Sequence, residues 1–385
     1  MDEVIIAGVG QTEVGEHWEI ALRDLAFAAI REAVRDAGGL RPQALFVGNM
    51  LAPSLSRQAH LGALIADFAG LSGIEAVTVE AAEASGGAAL RAAYLAVKSG
   101  ALDIALVVGV EKMTDRIGPS AEEALTSVTD ADFESPQGLT PTAQAALLMR
   151  RYMHEHGVPS DGFAGFALTA HANAVTNPYA MFRKAITVET YRKAEMVSDP
   201  LNLFDMAPSA DGAAALILTR PDVLPSHGDR PWVRIIGSAI ATDTLALHDR
   251  RDMLFFEAAQ RSAGYALKQA RLTLDQIDFF EYHDVFSIYA ALQLESTGFA
   301  IRGHGWKLAA EGAIGLQGRI PCATFGGMKA RGFPGGAAGV YQAVEAVLQL
   351  RGEAGKNQVP DARIGMIQSL GGPAATAVTH LLQAA

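Results

Sequence analysis

Two short stretches decide how this chain is read: Glu83-Ala84-Ser85-Gly86-Gly87-Ala88-Ala89 and Pro334-Gly335-Gly336-Ala337-Ala338. Each opens an apolar helical run, the first to about residue 98 and the second to about residue 350. Glycine is a poor helix former, so a glycine pair repeated at two helix openings points to backbones in close approach. Outward from the first stretch, strands are expected at 4–8, 44–48, 76–80 and 104–110, alternating with helices at 20–37, 59–69 and 85–98. Outward from the second, strands are expected at 232–240, 277–282, 364–368 and 374–382, with helices at 255–269, from 286 to 294 and from 335 to 350. Such alternation is the pattern of an α/β protein. Its recurrence at this scale implies two similar domains, since solenoid periods are much shorter. Residues 112–207 carry few strand signals and several charges, as expected of an inserted loop domain lying over the first half. The expected division is 1–111 plus 208–222, then 112–207, then 230–385.

Composition narrows the function classes. Half of the 385 residues are apolar and 19% are charged, which supplies a core and excludes disorder. Lys and Arg number 31 against 42 Asp and Glu, a net charge of −11, the wrong sign for a general nucleic-acid binder. No run approaches the ~18 apolar residues of a membrane span. Residues 1–6 show no basic segment ahead of an apolar one, so no signal peptide is expected and the location is read as cytoplasmic. The single cysteine, Cys322, excludes internal disulfides and a multi-cysteine zinc site, and the histidines show no metal-ligand spacing. Gly8 and Gly10 would need a third glycine at position 13 to make a dinucleotide fingerprint, and that residue is Glu13.

Six collinear motifs carry a resemblance. They are Ala7-Gly8-Val9-Gly10-Gln11-Thr12, Gly109-Val110-Glu111-Lys112-Met113, Ser198-Asp199-Pro200-Leu201 and Ser209-Ala210-Asp211-Gly212-Ala213-Ala214-Ala215, then His283-Asp284-Val285-Phe286 and Gly326-Gly327-Met328-Lys329-Ala330-Arg331-Gly332. Over nearly its whole length the chain resembles the thiolases, especially the sterol-carrier-protein type and related thiolase-like proteins. The resemblance implies the five-layered α-β-α-β-α thiolase fold, a tight homodimer, and acyl-CoA as ligand, with coenzyme A entering as part of the substrate and no separate cofactor. Proteins of this type often pair with a small OB-fold and zinc-ribbon acyl-CoA-binding protein. This sequence lacks the cysteines for that ribbon, so such a module would be a separate chain.

The resemblance also shows where the chain departs. Thiolases carry a nucleophilic cysteine one residue before Ala-Ser-Gly, where a helix N-terminus stabilises the thiolate. Glu83 stands at that position. The family's Gly-His-Pro histidine corresponds to Phe333 in Gly332-Phe333-Pro334, and the second cysteine is missing near Gly371 and Gly372. His283 alone keeps a polar catalytic group, one that in the family helps bind the thioester oxygen. Glu83 is open to three readings: a base, a nucleophile, or an inert carboxylate held by helix N–H groups. His283 is read as functional against the alternative of a satisfied core histidine, and Asp284 as a cap of the next helix. Cys322 is read as a buried hydrophobe, Ser85 as helix packing, and Tyr282 and Tyr289 as core aromatics. Of the basic pairs in the inserted region, Arg183 and Lys184 are expected at the CoA phosphates, with a solvated charged face as the alternative. Normal Claisen chemistry is not expected. Two functions remain: altered CoA-thioester chemistry such as aldol cleavage, decarboxylation or hydrolysis, and a non-catalytic CoA-binding subunit.

Overall fold

The computed structural model describes residues 3–116, 120–224 and 230–385. The opening residues 1–2 and residues 117–119 of the expected inserted region lie outside them. The main elements are strands β1 (Ile5–Gln11), β2 (Ala44–Gly48), β3 (Glu75–Val79), β4 (Ile104–Glu111) and β5 (Gly212–Thr219), with helices α1 (Leu22–Asp36), α2 (Leu61–Phe68) and α3 (Ser85–Lys98). Helices α4 (Pro141–His156) and α5 (Ala164–Ala174) precede β5 in the chain. The second part comprises β6 (Val233–Thr242), α6 (Glu257–Ala270), β7 (Phe279–Glu281), α7 (Ser287–Thr297), α8 (Ala338–Leu350), β8 (Ile364–Gly371) and β9 (Thr376–Ala384).

The strands form one sheet in the order β3-β2-β4-β5-β1-β6-β9-β8-β7. Its halves are joined where Ile5 and Ile6 of β1 pair with Arg234 and Val233 of β6. The duplication is explicit in the pairing. In the first half β2 runs parallel to β4, β4 antiparallel to β5, and β5 antiparallel to β1. In the second half β7, β8, β9 and β6 repeat these relations. The equivalent of β3 is reduced in the second half to a single bridge between Phe280 and Cys322.

Five layers follow from period-2 burial on both faces of the strands. Leu106, Val108 and Val110 of β4 pack with Leu25, Ala29 and Ala33 of α1, and the intervening Ala105 and Val107 pack with Leu90 and Val97 of α3 and Val340 and Val344 of α8. Helices α6 and α7 cover the far face of the second half through Ala259, Ala263 and Leu292. This is the thiolase fold. Glycines make the central layer: a Cβ on Gly86 would lie 2.8 Å from the Gly336 carbonyl oxygen, and one on Gly339 would lie 2.5 Å from the Gly87 nitrogen.

The middle segment lies over both halves: Met113, Ala124 and Val128 pack with Met50, Leu51 and Leu55 of the first half as expected, whereas its helices α4 and α5 turn to the second. Helix α4 shares the core of the second half, where the Tyr152 hydroxyl bonds Glu295, and α5 docks through Asn173, whose amide donates to Ala323 O at 3.0 Å. Its apolar face, not its charges, decides where it packs.

Candidate functional site

Glu83 lies on the turn between β3 and α3. Ala82 adopts the left-handed conformation (φ +51°), and Ser85 Oγ locks the turn by accepting from Ala81 N–H at 2.9 Å and donating to Ala82 O at 2.5 Å. The turn aims the Glu83 side chain inward, leaving the residue 5% exposed. There Oε2 accepts a 2.6 Å hydrogen bond from the N–H of Gly372, 289 residues away. The glycines at 371 and 372 are required by this meeting. A Cβ on Gly371 would lie 2.6 Å from Ala81 O, and Gly372 is left-handed at φ +56°. Arg250 pins the same turn, donating to Pro373 O at 2.5 Å and to Thr244 O at 2.8 Å. Burial pushes the Glu83 carboxyl above its ordinary pKa; the Gly372 bond and its own backbone N–H oppose this, and the nearby charge of Glu80 adds to it.

His283 follows the end of β7 and is completely buried. Its N–H donates to Gln293 Oε1 at 2.8 Å, and Gln293 in turn donates to Gln368 Oε1 at 2.7 Å, so an amide network holds the backbone beneath the ring. Neither ring nitrogen has a hydrogen-bond partner among the described residues. Burial, helped by the Arg331 guanidinium, pulls its pKa down to about 3, so the imidazole is neutral at any ordinary pH. The ring meets Phe333 edge-on, with centroids 6.0 Å apart and planes at 83°. Segment 206–210 ties their two chain segments together: Ala207 N–H donates to Val285 O at 2.8 Å and Phe333 N–H donates to Pro208 O at 3.0 Å.

Met206, Ala207 and Pro208 also line a largely apolar cavity of about 280 Å³, shared with Phe182, Phe204 and Lys329. The Lys329 ammonium is buried against Asp205 O at 2.7 Å, and burial pulls its pKa down to about 8. Lys184 stands in the cavity lining, whereas Arg183 pairs with Glu13 and is absent from it. A larger open cleft of about 980 Å³ lies beside Phe325 and Asn177 and is lined by Val9, Gly10 and Gln11 of the first motif; its charges Asp36, Arg230 and Glu353 pair with one another, and Glu83, His283, Phe333 and Lys329 do not enter it.

The structure thus joins Glu83 to Gly371 and Gly372, and His283 to Phe333, but no hydrogen bond links Glu83 with His283. Asp284 does not cap α7 as expected: the helix has no side-chain cap, and Asp284 Oδ1 instead accepts from Met328 N–H at 2.7 Å. Cys322 is fully buried with Sγ donating to Ile320 O at 3.3 Å, and burial pushes the thiol up, away from thiolate. Arg150, Arg151 and Arg192 pair with Asp199, Glu155 and Asp161, the solvated face weighed as the alternative for basic pairs. Among the described residues no group of three or more His, Cys, Asp or Glu could hold a metal, and no helix is long and apolar enough to cross a membrane. Arg250 carries no local signal in the sequence, whereas Lys329 lies in the motif Gly326-Gly327-Met328-Lys329-Ala330-Arg331-Gly332.

Two family models match: the thiolase N-terminal domain over residues 4–222 and the thiolase C-terminal domain-like model over 239–384. The chain belongs to the thiolase family. It is 44% identical over 383 residues to an acetyl-CoA acetyltransferase of Methanothermobacter thermautotrophicus, covering 99% of each chain. It is 29% identical over 376 residues to the benzoylsuccinyl-CoA thiolase subunit BbsB of Thauera aromatica, covering 96% of this thiolase-family chain and 95% of the other. In fold it resembles the solved structure of an Ltp2-ChsH2(DUF35) aldolase, with a TM-score of 0.84 at 24% identity, covering 100% and 98% of the two chains.

Proposed function

We propose that this thiolase-family protein acts on CoA thioesters without a cysteinyl intermediate, with Glu83 as base and His283 as the group that holds the thioester oxygen. The observation that carries this reading is a buried carboxyl that sits where the resemblance puts the nucleophile, accepts one backbone N–H and has burial as the main influence on its ionisation. Such a group suits proton transfer near neutrality.

Aldol-type cleavage uses these parts best. The Glu83 carboxylate takes the proton of a 3-hydroxyl group, the C2–C3 bond breaks, and its electron pair moves into the thioester as an enolate. A neutral His283 donates one N–H to that oxygen. The Glu83 carboxyl then returns its proton to C2, giving a carbonyl compound and a shorter acyl-CoA. The cycle is redox-neutral and needs no co-reactant. Decarboxylation or hydrolysis on the same residues are the related outcomes. In this reading Phe333, Gly371 and Gly372 bound the acyl group, and Lys184 and Arg183 meet the CoA phosphates. The protein works in the cytoplasm as a homodimer, with a separate small OB-fold and zinc-ribbon chain as a partner; the shared fold with a DUF35-containing aldolase is in keeping with this.

The second reading is a non-catalytic CoA-binding scaffold or regulatory subunit. It is favoured by one feature: Glu83 itself takes the Gly372 N–H, a donor that an oxyanion would otherwise use. Purified protein given a panel of 3-hydroxy-, 3-oxo- and malonyl-type CoA thioesters decides between them. The enzyme reading expects a 3-hydroxy member to be split and acetoacetyl-CoA not to undergo thiolysis at an ordinary enzyme rate, on the order of 1–1000 per second. CoA binding with no turnover of any member establishes the scaffold instead.

A further inference from the structure

The N–H that meets the Glu83 carboxyl comes from the tip of a hairpin, residues 372–375 between β8 and β9. Ala374 N–H closes onto Gly372 O at 2.7 Å and Ala375 N–H onto Gly371 O at 3.0 Å, so the tip is tight within itself. Its place over Glu83 is fixed from outside, by residues 243–250, the strap that follows β6. Asp243 N–H donates to Ala375 O at 2.9 Å, and the Arg250 guanidinium donates to Pro373 O at 2.5 Å. The same guanidinium shapes its own strap through Thr244 O at 2.8 Å, and Leu247 N–H anchors the strap to Glu134 Oε1 at 2.9 Å.

A buried arginine is a poor stabiliser unless a carboxylate pairs with it closely. The Arg250 side chain is 1% exposed, and Asp243, 3.9 Å away, is too distant for a hydrogen-bonded pair. The charge goes instead to two carbonyls, one in the strap and one in the tip. The second contact matters because of what it adjoins. Gly372, left-handed and without a Cβ, is the most pliable residue of the tip, and its N–H points steadily at Glu83 only while its neighbour is held. That neighbour is proline, whose fixed φ passes a hold on its carbonyl back to Gly372 with little slack.

We propose that Arg250 is a positioning residue for Glu83: its hold on Pro373 O keeps the Gly372 N–H aimed at Glu83 Oε2 and thereby sets how readily the carboxyl gives up its proton. This rests on the reading of Glu83 as the base and deepens it. Gly372 is a backbone donor that favours the anion against burial, so a loosened tip leaves the acid form favoured further. Of the other charged and titratable groups here, Glu80 on the Glu83 turn also favours the acid. Tyr289 on α7 feels the charges of Glu83, Arg250 and Glu134, and Asp243 and Glu134 act on Arg250. All of these remain when Arg250 alone is replaced.

The test is carbon-13 NMR of the full chain labelled at its glutamate carboxyls, with the Glu83 signal assigned by its absence in Glu83→Gln. Arg250→Lys keeps the charge, but one ammonium cannot reproduce a guanidinium fork spanning two carbonyls. In it the Glu83 titration midpoint should rise by about one pH unit or more. Arg250→Gln, which removes the charge as well, should raise it at least as far. A merely structural arginine would lower the melting temperature and leave the midpoint where it is. A midpoint that stays or falls in either variant overturns the proposal, and so does failure of both variants to fold, because Arg250 would then hold the fold and not the carboxyl. The midpoint is read without substrate. If it moves as expected while Glu83→Gln turns over esters as the wild type does, the catalytic reading alone is lost; if turnover depends on Glu83 and the midpoint does not move, this proposal alone is lost.

Discussion

A carboxyl buried at the opening of a helix is pulled in two directions: backbone N–H groups favour the anion, and loss of water favours the acid. At Glu83 the second effect wins, and the sign has a consequence for stability. A carboxyl whose pKa is raised by folding contributes most below its unfolded value, near 4.5, and that contribution is lost as pH rises through the folded value. Glu83→Gln keeps the shape of the protonated form. It should therefore melt together with the wild type near pH 4.5 and above it at pH 8, by about 1.4 kcal/mol for each unit of upward displacement. Thermal melts across that range check this, and a variant less stable than wild type at pH 8 contradicts it. Glu83, His283 and Phe333 were legible because they sit in motifs that fix their position along the chain. Tyr289 was read as a core aromatic, and locally it is one: its ring is clamped between two phenylalanines, and only the partnerless hydroxyl, a property of the folded state, separates it from packing.

Helix α3 was legible to the residue, since the glycine opening and the apolar run set both ends, whereas other boundaries moved for reasons that the local pattern does not contain. Helix α2 starts at Leu61 and not at 59, because His60 before it is left-handed at φ +62°. Strand β9 starts at Thr376 and not at 374, because Ala374 is left-handed and its N–H closes a tight turn onto Gly372 O at 2.7 Å. Strand β7 shrinks to three residues as Asp278 turns its carboxylate to the N–H groups of Arg363 and Ile364. The glycine pairs proved to be contact points between α3 and the opening of α8, which gives a prediction for the element. Gly86→Ala places a methyl 2.8 Å from a backbone oxygen that cannot rotate away. It should cost about 1–3 kcal/mol, as overpacking does, and lower the melting temperature. The same change at Gly264, where a Cβ meets nothing within 4 Å, should stabilise α6 or leave it unchanged.

Across the whole molecule, motif residues hold distant segments together. Glu111 joins the halves, accepting from the N–H groups of Met50 and Leu51 in the first and Gly336 in the second, and Asp211 ties the first half to the start of the middle segment, accepting from those of His17, Met113 and Thr114. Arg351, at the end of α8, reaches Asp36 at the end of α1 at 2.8 Å. None of these long-range bonds can be read from spacing in the chain, although the duplication they hold together was plain. One edge of the sheet is left open at β3, where Val77 is 40% exposed, and unpaired edges with apolar residues favour pairing with another chain. Two copies joined at that edge should appear as a dimer in light scattering at micromolar concentration, and a monomer there contradicts the proposed homodimer. The most direct measurement is turnover of 3-hydroxyacyl-CoA esters by wild type and Glu83→Gln, with ester affinity determined on the same samples. If Glu83 is the base, the wild type turns over at least one ester and the variant falls about 10²–10⁴-fold with affinity retained; equal turnover in both, or none in either while both bind the ester, contradicts it.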